Sequence, residues 1–300
     1  MSAGQSLCYR DRRTGQLVPE SIPGGRYLRW FYRTRSGFLY FSAIMNHALP
    51  CQLYGRWQAS RWSQGKIAAF VERHHIDLDE VELPLEQYPC FNDFFTRRLK
   101  PEARPFAADP ELLCAPADGK VLVYPRLDQH AALPVKGALV SAARLLGSAA
   151  AAAPYCGGAA LVVRLAPYDY HRFHFPDQGR AEPACLLPGQ FHSVNPIALE
   201  RVPQIFARNQ RALTFFDAEH FGRIAYVEVG AFLVASIVQT YQPGPVVRGQ
   251  EKGYFQFGGS TLVLLFEPGR VAFDEDLVRD SAAGLEVQVC TGTRIGRQPV

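Results

Sequence analysis

The chain has 300 residues, 48% of them hydrophobic and 20% charged, a composition that excludes a disordered or fibrous protein. A formal net charge of +4 is too small to point to nucleic acid as a partner. Seven cysteines, with no CxxC pair and no ligand-like spacing, argue against both a structural zinc site and a disulfide scaffold. With a polar, Arg-bearing start and no signal-peptide pattern, they lead to the expectation of a reducing compartment, the cytoplasm.

In chain order, the first distinctive stretch is residues 21–66. It carries Arg26, Arg29, Arg33, Arg35, Arg56, Arg61 and Lys66 and no acid, among Leu28, Trp30, Phe31, Tyr32, Phe38, Tyr40, Phe41 and Ile44. Such a mixture suits a segment lying in an anionic lipid interface, and it equally suits a basic helical subdomain packed on a core. Residues 36–55 have no formal charge, but Gly37, Asn46, His47, Pro50 and Gln52 interrupt them, which argues against a spanning helix. Ile67, Phe70, Val71 and His74 then fall at helical spacing. A second helix is expected from Asn92 as its cap, with Phe91, Phe94, Phe95 and Leu99 on one face and Arg97, Arg98 and Lys100 at its basic end. After the prolines at 101, 105, 110 and 116 the texture changes: residues 160–165, 224–238 and 262–266 read as strands, and the alanine run 149–153 as a surface loop or helix end. The expected class is therefore α+β, with a helical, basic, membrane-apposed region over 1–100 and a mainly antiparallel β body over 101–300.

Three clusters could carry chemistry. Pro116-Ala117-Asp118-Gly119-Lys120 taken alone is a turn. Tyr170-His171-Arg172-Phe173-His174-Phe175-Pro176 brings together two imidazoles, the side chains best suited to proton exchange near neutral pH, without an acidic or Cys partner at a metal-ligand spacing; no metal is expected. Gly258-Gly259-Ser260-Thr261 leads into the run Leu262–Phe266. It is not a nucleophile elbow, because Leu262 stands where G-x-S-x-G needs glycine, and it lacks the Lys-Ser/Thr of a phosphate-cradling loop.

Taken together, these clusters make the sequence resemble the phosphatidylserine decarboxylase proenzymes, a family of pyruvoyl-dependent enzymes. The stretches that carry the resemblance are Phe91-Asn92-Asp93-Phe94-Phe95-Thr96-Arg97-Arg98-Leu99-Lys100-Pro101, then Pro116 to Val121, Tyr170 to Pro176, Ser193-Val194-Asn195-Pro196 and Gly258 to Thr261, in the family's order. Gln210 and Gln250 stand where the resemblance leads one to expect acids. The resemblance implies self-cleavage between Gly259 and Ser260: the hydroxyl attacks the Gly259 carbonyl, the ester eliminates to dehydroalanine, and hydrolysis leaves a covalent pyruvoyl group. It implies chains 1–259 and 260–300 held together, and decarboxylation of phosphatidylserine to phosphatidylethanolamine and CO2 through an imine with the substrate amine. Asp118, His174 and Ser260 would form the triad for self-cleavage, with His174 as base, and His171 would serve proton transfer during decarboxylation. The expected partner is phosphatidylserine in an anionic membrane, reached by peripheral attachment on the cytoplasmic face. Alternatives are a pyruvoyl enzyme for another amine headgroup or free amino acid, a serine hydrolase using Asp118, His174 and an uncleaved Ser260, and a membrane-surface binding protein without catalysis. A homo-oligomer is left open.

Overall fold

In the first third of the chain, apolar residues recur at helical spacing between polar ones, and the computed structural model places helices there. It describes residues 8–20, 24–128, 130–135, 138–232, 236–256, 258 and 260–299. Gly25–Arg33 and Arg35–Tyr40 meet at Thr34, whose hydroxyl caps the second helix by accepting from the Gly37 amide at 3.0 Å. Gly37 permits this crossing, because a Cβ there would lie 2.1 Å from the Trp30 carbonyl oxygen. A π-helical turn, Phe41–Met45, and the helix Ala48–Gln58 follow. Phe31, Tyr32 and Phe41 turn inward and join the main core. The helix Ile67–His74 forms as expected; with Phe91–Phe95 it builds a smaller cluster of Ile67, Val81, Tyr88, Phe91, Phe94 and Phe95.

The helix at 91 differs from the expectation. Cys90 is its N-cap residue, Asn92 lies inside it, and it ends after one turn, where the Thr96 hydroxyl bonds back to the Asn92 carbonyl at 3.1 Å. Arg97 and Arg98 therefore lie beyond the helix, and Arg97 is buried.

Beyond Leu112 strands dominate, and the α+β expectation holds. The central sheet runs in the order Gly244–Val246, Gly179–Ala181, Arg211–Ala218, Gly222–Val229, Ser260–Phe266, Ala159–Leu165, Gly119–Tyr124, Glu286–Val289, Cys8–Asp11 and Leu17–Pro19, with Cys185–Leu187 also pairing on Arg211–Ala218. Every pairing is antiparallel except Cys8–Asp11 beside Glu286–Val289. Ser260–Phe266 is buried along its whole length, so its unbroken apolar run reflects burial on both faces rather than the alternation of a half-exposed strand. The expected strand 224–238 divides: Gly222–Val229 stops before Gly230, and Ile237–Gln239 joins a different sheet with Glu251–Phe255 and Arg172–His174. The alanine run is a short helix, Ala149–Ala152, capped by Ser148.

Candidate active site

Ser260 opens its strand at the point where the chain arrives from Gly258, and its backbone partner is Leu165, the last residue of Ala159–Leu165. The loop after Leu165 carries the Tyr168–Tyr170 segment to His171, so strand pairing and a short loop bring the serine and the first imidazole together. His171 Nδ1 lies 3.4 Å from Ser260 Oγ, and both residues are fully buried. The imidazole stacks on Phe95 at 4.0 Å between ring centres, and its Nε2 lies 3.0 Å from the Ala166 carbonyl oxygen. A carbonyl only accepts, so Nε2 carries the proton and Nδ1 faces the hydroxyl with its lone pair. Burial pushes the His171 pKa down to about 3; nearby Arg97 and Lys120 act in the same direction, while the Ala166 hydrogen bond and Asp118 oppose it.

His174 ends the strand Arg172–His174 and is fixed by its backbone amide, which donates to the Pro116 carbonyl at 2.8 Å. Its ring stacks on Tyr170 and tilts against Phe106, and its buried Nδ1 has no hydrogen-bond partner among the described residues. Burial lowers its pKa to about 4 against the opposing charges of Glu251 and Asp118.

Asp118 is buried and accepts from Arg104 Nε at 3.0 Å and Nη2 at 2.8 Å, and from the Thr291 amide and hydroxyl at 2.7 Å each. Burial alone would raise its pKa, but the Arg104 and Thr291 bonds outweigh it and hold the carboxyl below its ordinary value. Gly119 lets this turn approach the neighbouring strand, since a Cβ there would lie 2.7 Å from the Arg164 carbonyl oxygen.

The residues singled out in the sequence thus converge, but with contacts other than those expected. The imidazole at the Ser260 hydroxyl is His171 rather than His174, and Asp118 is bound to Arg104 and Thr291 rather than to an imidazole. Sequence reasoning missed both partners: Arg104 lies in the proline-rich connector and Thr291 is 173 residues from Asp118, so neither carries a local signal. It also missed Lys252, which reaches back from Glu251–Phe255 to Glu228 at 2.5 Å in a fully buried pair. Gly259 lies outside the described residues.

A cavity of about 1320 Å3 opens beside this cluster. Leu165, Ala166 and Gly258, which flank Ser260 across the sheet and along the chain, form part of its wall, and Leu28, Phe31 and Phe70 from the helical region form another part.

The fold and site thus define an α+β protein with a buried serine at a strand end, facing an imidazole beside a largely apolar cavity. A model of the family described as phosphatidylserine decarboxylase matches residues 91–297. Proteins named phosphatidylserine decarboxylase proenzyme are similar over nearly the whole chain: that of Clostridium novyi (strain NT) is 42% identical, covering 92% of this chain and 94% of its own; that of Chlamydia muridarum (strain MoPn / Nigg) is 42% identical, covering 98% of each. The chain belongs to the phosphatidylserine decarboxylase family.

Proposed function

We propose that this chain decarboxylates phosphatidylserine to phosphatidylethanolamine after cleaving itself between Gly259 and Ser260, with the catalytic carbonyl built from Ser260. The observation that carries the proposal is the wholly buried Ser260 hydroxyl facing an unprotonated imidazole nitrogen. Serine is a weak nucleophile at its free pKa and gains reactivity when such a nitrogen accepts its proton. The residues present fit a covalent pyruvoyl group: residue 260 is shielded from bulk water, and its neighbours Leu165 and Ala166 border the cavity. Such a group, when formed, supplies the electron sink that no ordinary side chain provides. The chain's own residues supply the rest. His171 holds a proton acceptor at residue 260, Asp118 places negative charge near both imidazoles, and the apolar wall of the cavity suits acyl chains. The segment 260–300 is built to stay after cleavage: Ser260–Phe266 pairs on both sides, Glu286–Val289 lies between Cys8–Asp11 and Gly119–Tyr124, and Arg164 bonds Glu286.

The two imidazoles would divide the proton transfers. The resemblance gives self-cleavage to His174 and decarboxylation to His171, and the His171 contact with residue 260 suits the second role. A second reading, favoured by the Ser260–His171 contact itself, makes His171 the base for self-cleavage as well. The variants decide between them. On the first reading His174→Ala blocks processing, whereas His171→Ala matures and decarboxylates poorly. Processing blocked by His171→Ala but not by His174→Ala would establish the second reading. Pulse-labelled synthesis followed by gel separation of the two chains measures this.

Membrane attachment belongs to the same proposal, with residues 1–100 apposed to the cytoplasmic face through the helices that begin at Gly25, Cys8–Asp11 and Leu17–Pro19 being strands of the central sheet, and 101–300 carrying catalysis. Among the described residues no helix is long and apolar enough to cross a membrane. Tyr27, Trp30, Leu39, Tyr40, Ile44, Leu49, Leu53, Trp57 and Trp62 are exposed on the helical region beside exposed Arg26, Arg29, Arg35, Arg56 and Arg61. Phe31 and Phe41, which the sequence offers for insertion, instead pack in the core. The expected result is flotation with phosphatidylserine-containing liposomes that weakens with salt, and loss of residual high-salt flotation when Trp30, Leu39 and Trp62 are replaced by Ser. Equal flotation on neutral vesicles, or no effect of the triple substitution, would remove this segment as the anchor.

A further inference from the structure

Lys120 and Asp169 form an ion pair that the reaction scheme above does not use. Lys120 Nζ lies 3.1 and 3.2 Å from the two Asp169 carboxylate oxygens, the lysine is wholly buried, and its ammonium sits over the Tyr168 ring at 4.4 Å. Burying two charges is a net cost unless the geometry is good and the remaining lone pairs are satisfied. Here a remaining lone pair has a use: Asp169 Oδ2 accepts from the Ala166 amide at 2.6 Å, closing the loop 166–169 on itself. The carbonyl of the same Ala166 accepts from the Asp169 amide at 2.9 Å and from His171 Nε2 at 3.0 Å, and the residue before it, Leu165, is the backbone partner of Ser260.

We propose that Lys120 and Asp169 are positioning residues for the active imidazole: Asp169, held by Lys120, grips residue 166 at both its amide and its carbonyl, keeping that carbonyl on His171 Nε2 and the Nδ1 lone pair facing residue 260. The loop does two things at once. Its start fixes the register of the serine strand, and its carbonyl selects the imidazole tautomer. Lys120 bonds both carboxylate oxygens and so holds the Asp169 side chain in place as an anchor. The groups facing His171 are the Phe95 ring, the Ala166 carbonyl and Ser260, with Arg97, Lys120 and Asp118 acting on it through their charges. Removing the lock takes away the acceptor that selects Nε2–H, and in the other tautomer Nδ1 presents an N–H to the hydroxyl that should lose its proton.

The proposal rests on Ser260 being the self-cleaving residue, and its test is separable from that one. In a full-length Ser260→Ala chain labelled with 15N-histidine, the His171 signal is expected to show the Nε2–H tautomer. With Asp169→Ala added, which removes the acceptor of the Ala166 amide, that preference is expected to be lost, and in the Ser260-containing chain the same substitution should slow maturation at least about tenfold. Lys120→Met combined with Asp169→Ala leaves no unpaired buried charge and no acceptor for the Ala166 amide, so this chain is expected to fold while showing the same mixed tautomer and slow maturation. An unchanged tautomer and wild-type maturation in the folded double variant would overturn the positioning role. Cleavage of the Ser260→Ala chain would overturn the underlying assignment instead, and the imidazole spectrum would still report on the lock.

Discussion

Ser260→Ala is expected to remain a single 300-residue chain and to release no CO2 from phosphatidylserine. The hydroxyl is both the attacking group and the source of the catalytic carbonyl, so its removal abolishes two steps together rather than slowing one. The fold should hardly register the change: Ser260 is buried, but its strand is held by pairing to Leu165 and its neighbours, and the side chain's described hydrogen bond is the long 3.4 Å contact with His171. Losing such a bond costs about 1 kcal/mol. A near-normal unfolding midpoint combined with complete loss of processing is therefore the signature. Gel electrophoresis and calorimetry on the same preparation read both, and a variant cut at the same bond would contradict the proposed role of Ser260.

Asp118→Asn is expected to slow maturation severely, by up to about 10⁴-fold if the carboxylate acts as the acid of a triad does. The geometry gives this expectation a specific cause. The Asp118 charge favours protonation of both His171 and His174, whose burial disfavours it, and a general base must become cationic as it takes the serine proton. Asparagine keeps the size and can still accept from Thr291, but it leaves the Arg104 guanidinium with Glu80 as its remaining carboxylate partner, 2.9 Å away. The cation that Asp118 neutralised would then work against imidazolium formation. Pulse-chase synthesis measures the rate of fragment appearance; an unchanged rate would show that Asp118 only ties Arg104 to the segment after Ser260.

Much of this site is contiguous in the chain and was legible for that reason. Gly258 to Thr261, the pair His171 and His174, and Asp118 each sit in a short segment with its own pattern, and the change of texture after Pro101 separates helices from strands. What the sequence hides is pairing at a distance. Cys8–Asp11 becomes a sheet strand only because Glu286–Val289 lies alongside it, and Asp118 is satisfied by residues 14 positions before and 173 after. The choice between the imidazoles was hidden for a different reason. Residues three apart in extended chain point to opposite faces, so the spacing alone does not say which imidazole lies at the Ser260 hydroxyl; the register of Ser260 against Leu165 brings His171 there. Phe31 and Phe41 show the same limit on the helices. The local sequence makes both fit for lipid or core, and the crossing at Gly37 turns them inward.

The most direct test of the central claim is the mass of the purified wild-type protein, taken before and after treatment with borohydride in the presence of phosphatidylserine. The expected result is two chains, 1–259 and 260–300, the smaller of 41 residues with a blocked N-terminus. After treatment the lipid mass should be fixed to that smaller chain and activity lost, with no dependence on added pyridoxal phosphate. A single unprocessed chain that nevertheless decarboxylates phosphatidylserine, or lipid fixed to the larger chain, would contradict it.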